Sequence, residues 1–156
     1  MTYGAENISY DLHGTSLTVL GTLKMDNSHY GINGVNNGTL YAQGSAHCGT
    51  PTPGNAVVVM NGSANVNLDS DAALNSCLPI QIAKTGGASV IQTSNYSMNN
   101  NNQDLTITSG DLYLDDYKLT INRNITNSGT LRRGANPSCG VLTYGGSYSG
   151  TAAVCP

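Results

Sequence analysis

Apolar residues in this chain come in short beats rather than long stripes. Along DLTITSGDLYLDDYKLTINRNITNSGTL they fall at Leu105/Ile107, Leu112/Leu114 and Leu119/Ile121, then at Ile125 and Leu131. Each paired beat sets two apolar residues around one outward residue, so both apolar side chains leave an extended strand on the same side. The beats recur at steps of about six or seven residues, with turn residues between them. Three such beats make a coil of roughly twenty residues, and stacked coils make a parallel β-helix. The expected fold is therefore all-β: a parallel β-helix (β-solenoid) of about seven short coils, from a typical repeat of roughly 20–25 residues. Leu105, Ile107, Leu112, Leu114, Leu119, Ile121, Ile125 and Leu131 are its expected inward ladder.

The rest of the chain agrees with short strands. LTV (17–19), LKM (23–25), AVVVM (56–60), ANVNL (64–68), IQIA (80–83), SVIQT (89–93) and VLTY (141–144) are brief, often alternating, and many are set off by Gly, Asn, Asp or Ser. Only DSDAALNS (69–76) reads as a helical turn, with a loop as its alternative, and NNNN (99–102) reads as a polar turn. Asn33-Gly34, Asn37-Gly38 and Asn61-Gly62 have the composition of hairpin turns, but the rhythm of the beats favours coils.

One segment occurs twice. GTLYAQGSAHCG (38–49) and GTLRRGANPSCG (129–140) share their opening Gly-Thr-Leu and closing Cys-Gly. Flanking likenesses extend this, LTVLGTLKMD (17–26) to LTITSGDLYLDD (105–116) and AVVVMNGSAN (56–65) to GVLTYGGSYS (140–149). The expected organisation is a single domain over 1–156 with two similar units, 17–79 and 105–156.

Each unit carries two cysteines, and their matched placement predicts two bridges, Cys48–Cys77 and Cys139–Cys155. Each closes a loop of about 15 to 30 residues, worth on the order of 3 kcal/mol. Disulfides imply an oxidising compartment. No Cys-x-x-Cys or paired-His spacing suggests zinc.

Composition narrows the functions. Of the 156 residues 38% are hydrophobic but only 10% charged, with 19 Gly, 9 Tyr and neither Phe nor Trp. Small aliphatic residues suit a narrow interior. A net charge of −3 gives no basic field for nucleic acid, and Arg132-Arg133 reads as a solvated turn. A surface this poor in charge favours association. MTYGAENISYDLHG has neither the basic head nor the apolar stretch of a signal peptide, and no run approaches membrane-spanning length.

SGDLYLDDYKLTINRNITNSGTL resembles the parallel β-helix repeats of bacterial secreted cell-surface proteins and adhesins, including large ones of the type-nine-secretion kind. The shared themes are a Gly-x-Leu-x-Leu beat (Gly110 to Leu114), a Leu-Thr-Ile beat (Leu119 to Ile121) and an Asn-Ser-Gly-Thr-Leu beat (Asn127 to Leu131). The likeness is sharp over 105–131 and loose over 17–145. It implies the fold and an extracellular or cell-surface setting. The cysteine-closed loops depart from the pattern.

Little in the chain reads as chemistry. Asp115 and Asp116, with Asp111 nearby, suit a turn better than a catalytic pair, because no partner is evident to set their protonation states. His13, His29 and His47 share no metal-ligand spacing, and Asp69 and Asp71 lack the glycine-rich calcium nonapeptide. Thr106, Thr108, Thr120 and Thr130 do not form a regular array for ice. The expectation is no enzyme, no cofactor and no bound metal. Five sequons (Asn7, Asn37, Asn61, Asn95 and Asn124) match what chance gives in a chain so rich in Asn, Ser and Thr.

A solenoid has two open ends, each with unpaired backbone groups. No amphipathic capping helix is visible near either end of this chain. The expected role is a structural subunit of an extracellular filament or surface fibre, assembling head-to-tail with copies of itself. The alternative is an adhesin module binding surface glycans through turns or a tyrosine set (Tyr3, Tyr10, Tyr113, Tyr144 and Tyr148), and a polysaccharide-degrading enzyme stands third.

Overall fold

The computed structural model describes residues 8–25, 32–49, 55–71, 78–98, 104–134 and 139–155. Among these there is no helix, and every ladder between named strands is parallel. The strands come in chain order as β1 (Ile8–Asp11), β2 (Ser16–Val19), β3 (Leu23–Met25), β4 (Ile32–Asn36), β5 (Thr39–Ala42) and β6 (Ala46–Cys48). Next are β7 (Val57–Gly62), β8 (Val66–Ser70), β9 (Ile80–Lys84), β10 (Ser89–Gln92), β11 (Tyr96–Met98) and β12 (Leu105–Ser109). Last come β13 (Asp111–Tyr113), β14 (Leu119–Ile121), β15 (Ile125–Asn127), β16 (Thr130–Arg132), β17 (Leu142–Tyr144) and β18 (Tyr148–Gly150).

The strands lie on three sides. The long face has seven, in the order β18-β15-β12-β9-β7-β5-β2, and the second face has six, β16-β13-β10-β8-β6-β3. The third side carries β11-β14-β17 and, separately, β1-β4. The protein is a parallel β-solenoid of about five turns. The sequence suggested about seven coils. Seven strands do stack on the long face, but not every coil has a described strand on every side: none is named on the third side between β4 and β11, and β18 is followed on the second face by a single bridge, Arg132 to Val154.

The Asn-Gly pairs make no hairpins. Asn33-Gly34 lies within β4, Asn61-Gly62 ends β7, and Asn37-Gly38 turns the corner from β4 to β5. In the segment 69–76, β8 runs on through Ser70, while 72–77 lie outside the described residues, as do 99–102.

Register aligns the interior into columns. One runs Leu17, Leu40, Val58, Ile80 and on through Leu105, Ile125 and Tyr148. A second runs Val19, Ala42, Met60, Ile82, Ile107, Asn127 and Gly150. Leu105, Ile107, Leu112, Leu114, Leu119, Ile121, Ile125 and Leu131 are all buried, none more than 2% exposed. Each such side chain contributes about 1.5–3 kcal/mol relative to exposure.

Among the described residues four polar ones are also buried: Ser70, Lys84, Gln92 and Asn127. Gln92 Nε2 donates to the carbonyls of Ser94 and Lys118, at 2.7 and 2.8 Å. Asn127 Nδ2 donates to the Tyr148 hydroxyl at 2.9 Å and the Thr151 carbonyl at 2.7 Å. Lys84 follows Ile80 and Ile82 on the inward side, opposite Gly62, and its Nζ donates to the Asn61 carbonyl at 2.5 Å.

Candidate functional site: the two ends of the stack

Inward columns are shielded wherever a coil lies on both sides of them, and they open at the ends. Leu17, in the first rung of the long face, is 52% exposed, whereas Leu40 and Val58 behind it are 2% and 0%. At the opposite end Tyr144 is 43% exposed, although Ile121 and Met98, its partners in register, are each 1%. Among the described residues the exposed large apolar ones are Leu17, Leu20, Val141, Tyr144 and Val154, all on the first or last coil.

The far end, beyond β16, is a shaped surface. Tyr144 and Tyr148 meet with ring centroids 5.7 Å apart and planes tilted by 51°. With Arg133, Leu142, Ala152 and Ala153 they line a depression of about 440 Å³. The Tyr148 hydroxyl donates to the Thr151 carbonyl at 2.6 Å, which fixes the ring. Val154 extends the second face, its N–H donating to the Leu131 carbonyl at 2.9 Å and its carbonyl accepting from Arg133 at 2.8 Å. The Cys139–Cys155 disulfide, with Cα atoms 6.0 Å apart, ties this final segment to the loop before β17. Cys48 is disulfide-bonded as well; its expected partner, Cys77, lies outside the described residues.

The near end begins at β1 and β2. Asp11 accepts from the His13 N–H at 2.8 Å and from Asn37 Nδ2 at 3.2 Å. The His13 backbone N–H, and after it the Asn37 amide, hold the Asp11 carboxyl below its ordinary range. Leu20, at the corner after β2, is 74% exposed. Among the described residues nothing pairs with the outer edge of β2, β3 or β18.

The candidates for chemistry are scattered. Asp115 sits in a turn at φ 51°, a left-handed conformation Asp tolerates. Asp111 is paired with Arg132 at 3.0 Å. His47 Nδ1 lies 2.7 Å from Asp69 Oδ1, and the two residues are in register on adjacent rungs, so they tie coil to coil. Asp71 is 4.0 Å from the other ring nitrogen. His29 lies outside the described residues. Among the described residues no group of three or more His, Cys, Asp or Glu is placed to hold a metal ion, and no helix is long and apolar enough to cross a membrane.

The sequence did not single out Leu17 or Leu20. In a run such as SLTVLG an apolar residue of an end rung has the same signature as one of a middle rung. Tyr144 and Tyr148 were singled out only as members of a tyrosine set. No known protein family, curated protein or solved structure matches the chain.

Proposed function

We propose that the chain is a structural subunit of an extracellular filament or surface fibre, joined head-to-tail through its solenoid ends. One observation carries the reading: among the described residues the exposed large apolar side chains gather on the two end coils, and Leu17 and Tyr144 are end members of columns that are buried further in. The joint sets β18 of one copy beside β2 of the next and the Val154 segment beside β3. Unpaired backbone groups gain partners and the inward columns run on. The two surfaces differ, so the contact is heterologous and propagates. A disulfide fits an oxidising compartment, in keeping with an extracellular setting.

Complementation tests this reading. Leu17→Asp spoils the near end and Tyr144→Ser the far end. Wild type is expected to show concentration-dependent growth in sedimentation velocity, and each variant alone to remain monomeric. Mixed together, the variants should form a heterodimer and nothing larger, since one good joint remains between them. Wild type that stays monomeric at every concentration, or variants that polymerise like wild type, would overturn the proposal.

A further inference from the structure

The outward side of the long face carries a feature unrelated to the ends. Tyr41, Val59 and Gln81 are in direct register on three successive rungs, with Asn61 and Ala83 in register beside them. Together with Thr85 they border an open depression of about 500 Å³, within the range of small-ligand sites. A second depression of about 260 Å³, reaching Pro79, Asp104 and Thr106, shares Val57 and Gln81 with the first and extends it into a groove.

The groove is unusual in its hydrogen bonding. Asn61 Oδ1 is shielded from solvent and has no partner among the described residues. An unpartnered shielded acceptor is destabilising, and the cost is recovered when the amide turns onto a donor in the groove. No charged side chain borders the larger depression, and Asp104 in the smaller one is neutralised by Arg123 at 3.3 Å. Val59, only 7% exposed although it faces outward, gives an apolar floor, and the Tyr41 ring gives an amphipathic wall.

From these features we infer that the groove binds a neutral oligosaccharide. A pyranose offers an apolar C–H face to Val59 and Tyr41 and ring hydroxyls to Asn61 and Gln81. Its lack of charge matches the lining, and a chain of sugars suits an elongated open groove better than a single compact molecule does.

The test is isothermal titration of the whole chain with three neutral probes, the hexamers of β-1,4-glucose, β-1,4-N-acetylglucosamine and α-1,6-mannose. Polygalacturonate serves as the charged comparison and an array of uncharged peptides as the non-sugar one. At least one neutral hexamer should bind. Tyr41→Ala and Asn61→Leu should each weaken it by roughly tenfold, while Thr120→Ala, on the third side, should leave it unchanged. Circular dichroism melts of the variants separate lost binding from lost folding. Failure of all three neutral hexamers, binding of polygalacturonate or peptides alone, or binding that survives both groove substitutions in folded protein would overturn the inference.

Discussion

At the scale of the residue, the interior follows a rule that the sequence states openly. Two apolar residues around one outward residue mark an inward pair, and Leu105/Ile107, Leu112/Leu114 and Leu119/Ile121 are all buried. Lys84 escapes that rule. In IQIAKTGG a lysine before Thr-Gly-Gly has the composition of a solvated turn, yet β9 continues through it. Gly62 on the rung before leaves room, and the Asn61 carbonyl receives the amine. Burial lowers the Lys84 pKa below 10.5, so the unfolded chain holds this proton to higher pH than the folded chain does. Stability from this group therefore rises with pH from the folded value up to about 10.5. Tyr96 acts in the opposite sense near pH 10: burial, with the Asp69 charge adding to it, pushes its hydroxyl far above the usual tyrosine range, so the unfolded chain loses that proton first and stability from this group falls as pH approaches 10. Urea midpoints measured from neutral pH to pH 9, below the tyrosine titration, should climb more steeply for wild type than for Lys84→Met. An equal slope in the variant would mean that the amine is not held in a low-dielectric site.

At the scale of the element, the unit of resemblance is the rung. Gly38-Thr39-Leu40 leads into β5 on the long face, whereas Gly129-Thr130-Leu131 leads into β16 on the second face. A corner followed by a short strand has one sequence signature whichever side it serves, which explains why beats were easier to read than their assignment to faces. Strands such as β6 and β18 were harder still, because AHC alternates only through the small side chains of Ala46 and Cys48, and YSG has a single large apolar residue. The corners impose their own demand. A Cβ on Gly44 would collide with the Gly21 carbonyl of the coil before it, and one on Gly129 with the Gly110 carbonyl. Gly21 itself has nothing within 4 Å, since no described coil precedes it. Gly44→Ala should therefore destabilise the fold by about 1–3 kcal/mol, and Gly21→Ala should be silent in the thermal melt of dilute protein. Equal melting of the two variants would show that coils do not approach closely at this corner.

At the scale of the whole molecule, the fold class was legible because periodicity reports local geometry. The ends were not, because being first or last in a stack leaves no mark on an individual beat. The Cys139–Cys155 bridge was legible from its repeated context, and it lies where the final segment folds back against β16. An open stack extends along one axis, and its repeat follows from its rungs. Seven strands on the long face, spaced at about 4.8 Å, give an axial advance of roughly 34 Å per copy when the joint keeps the same spacing. Electron microscopy of the concentrated protein tests the account most directly. Unbranched filaments with an axial repeat near that value are the predicted result; a field of single particles at every concentration, or fibres whose repeat bears no relation to the stack length, would contradict it.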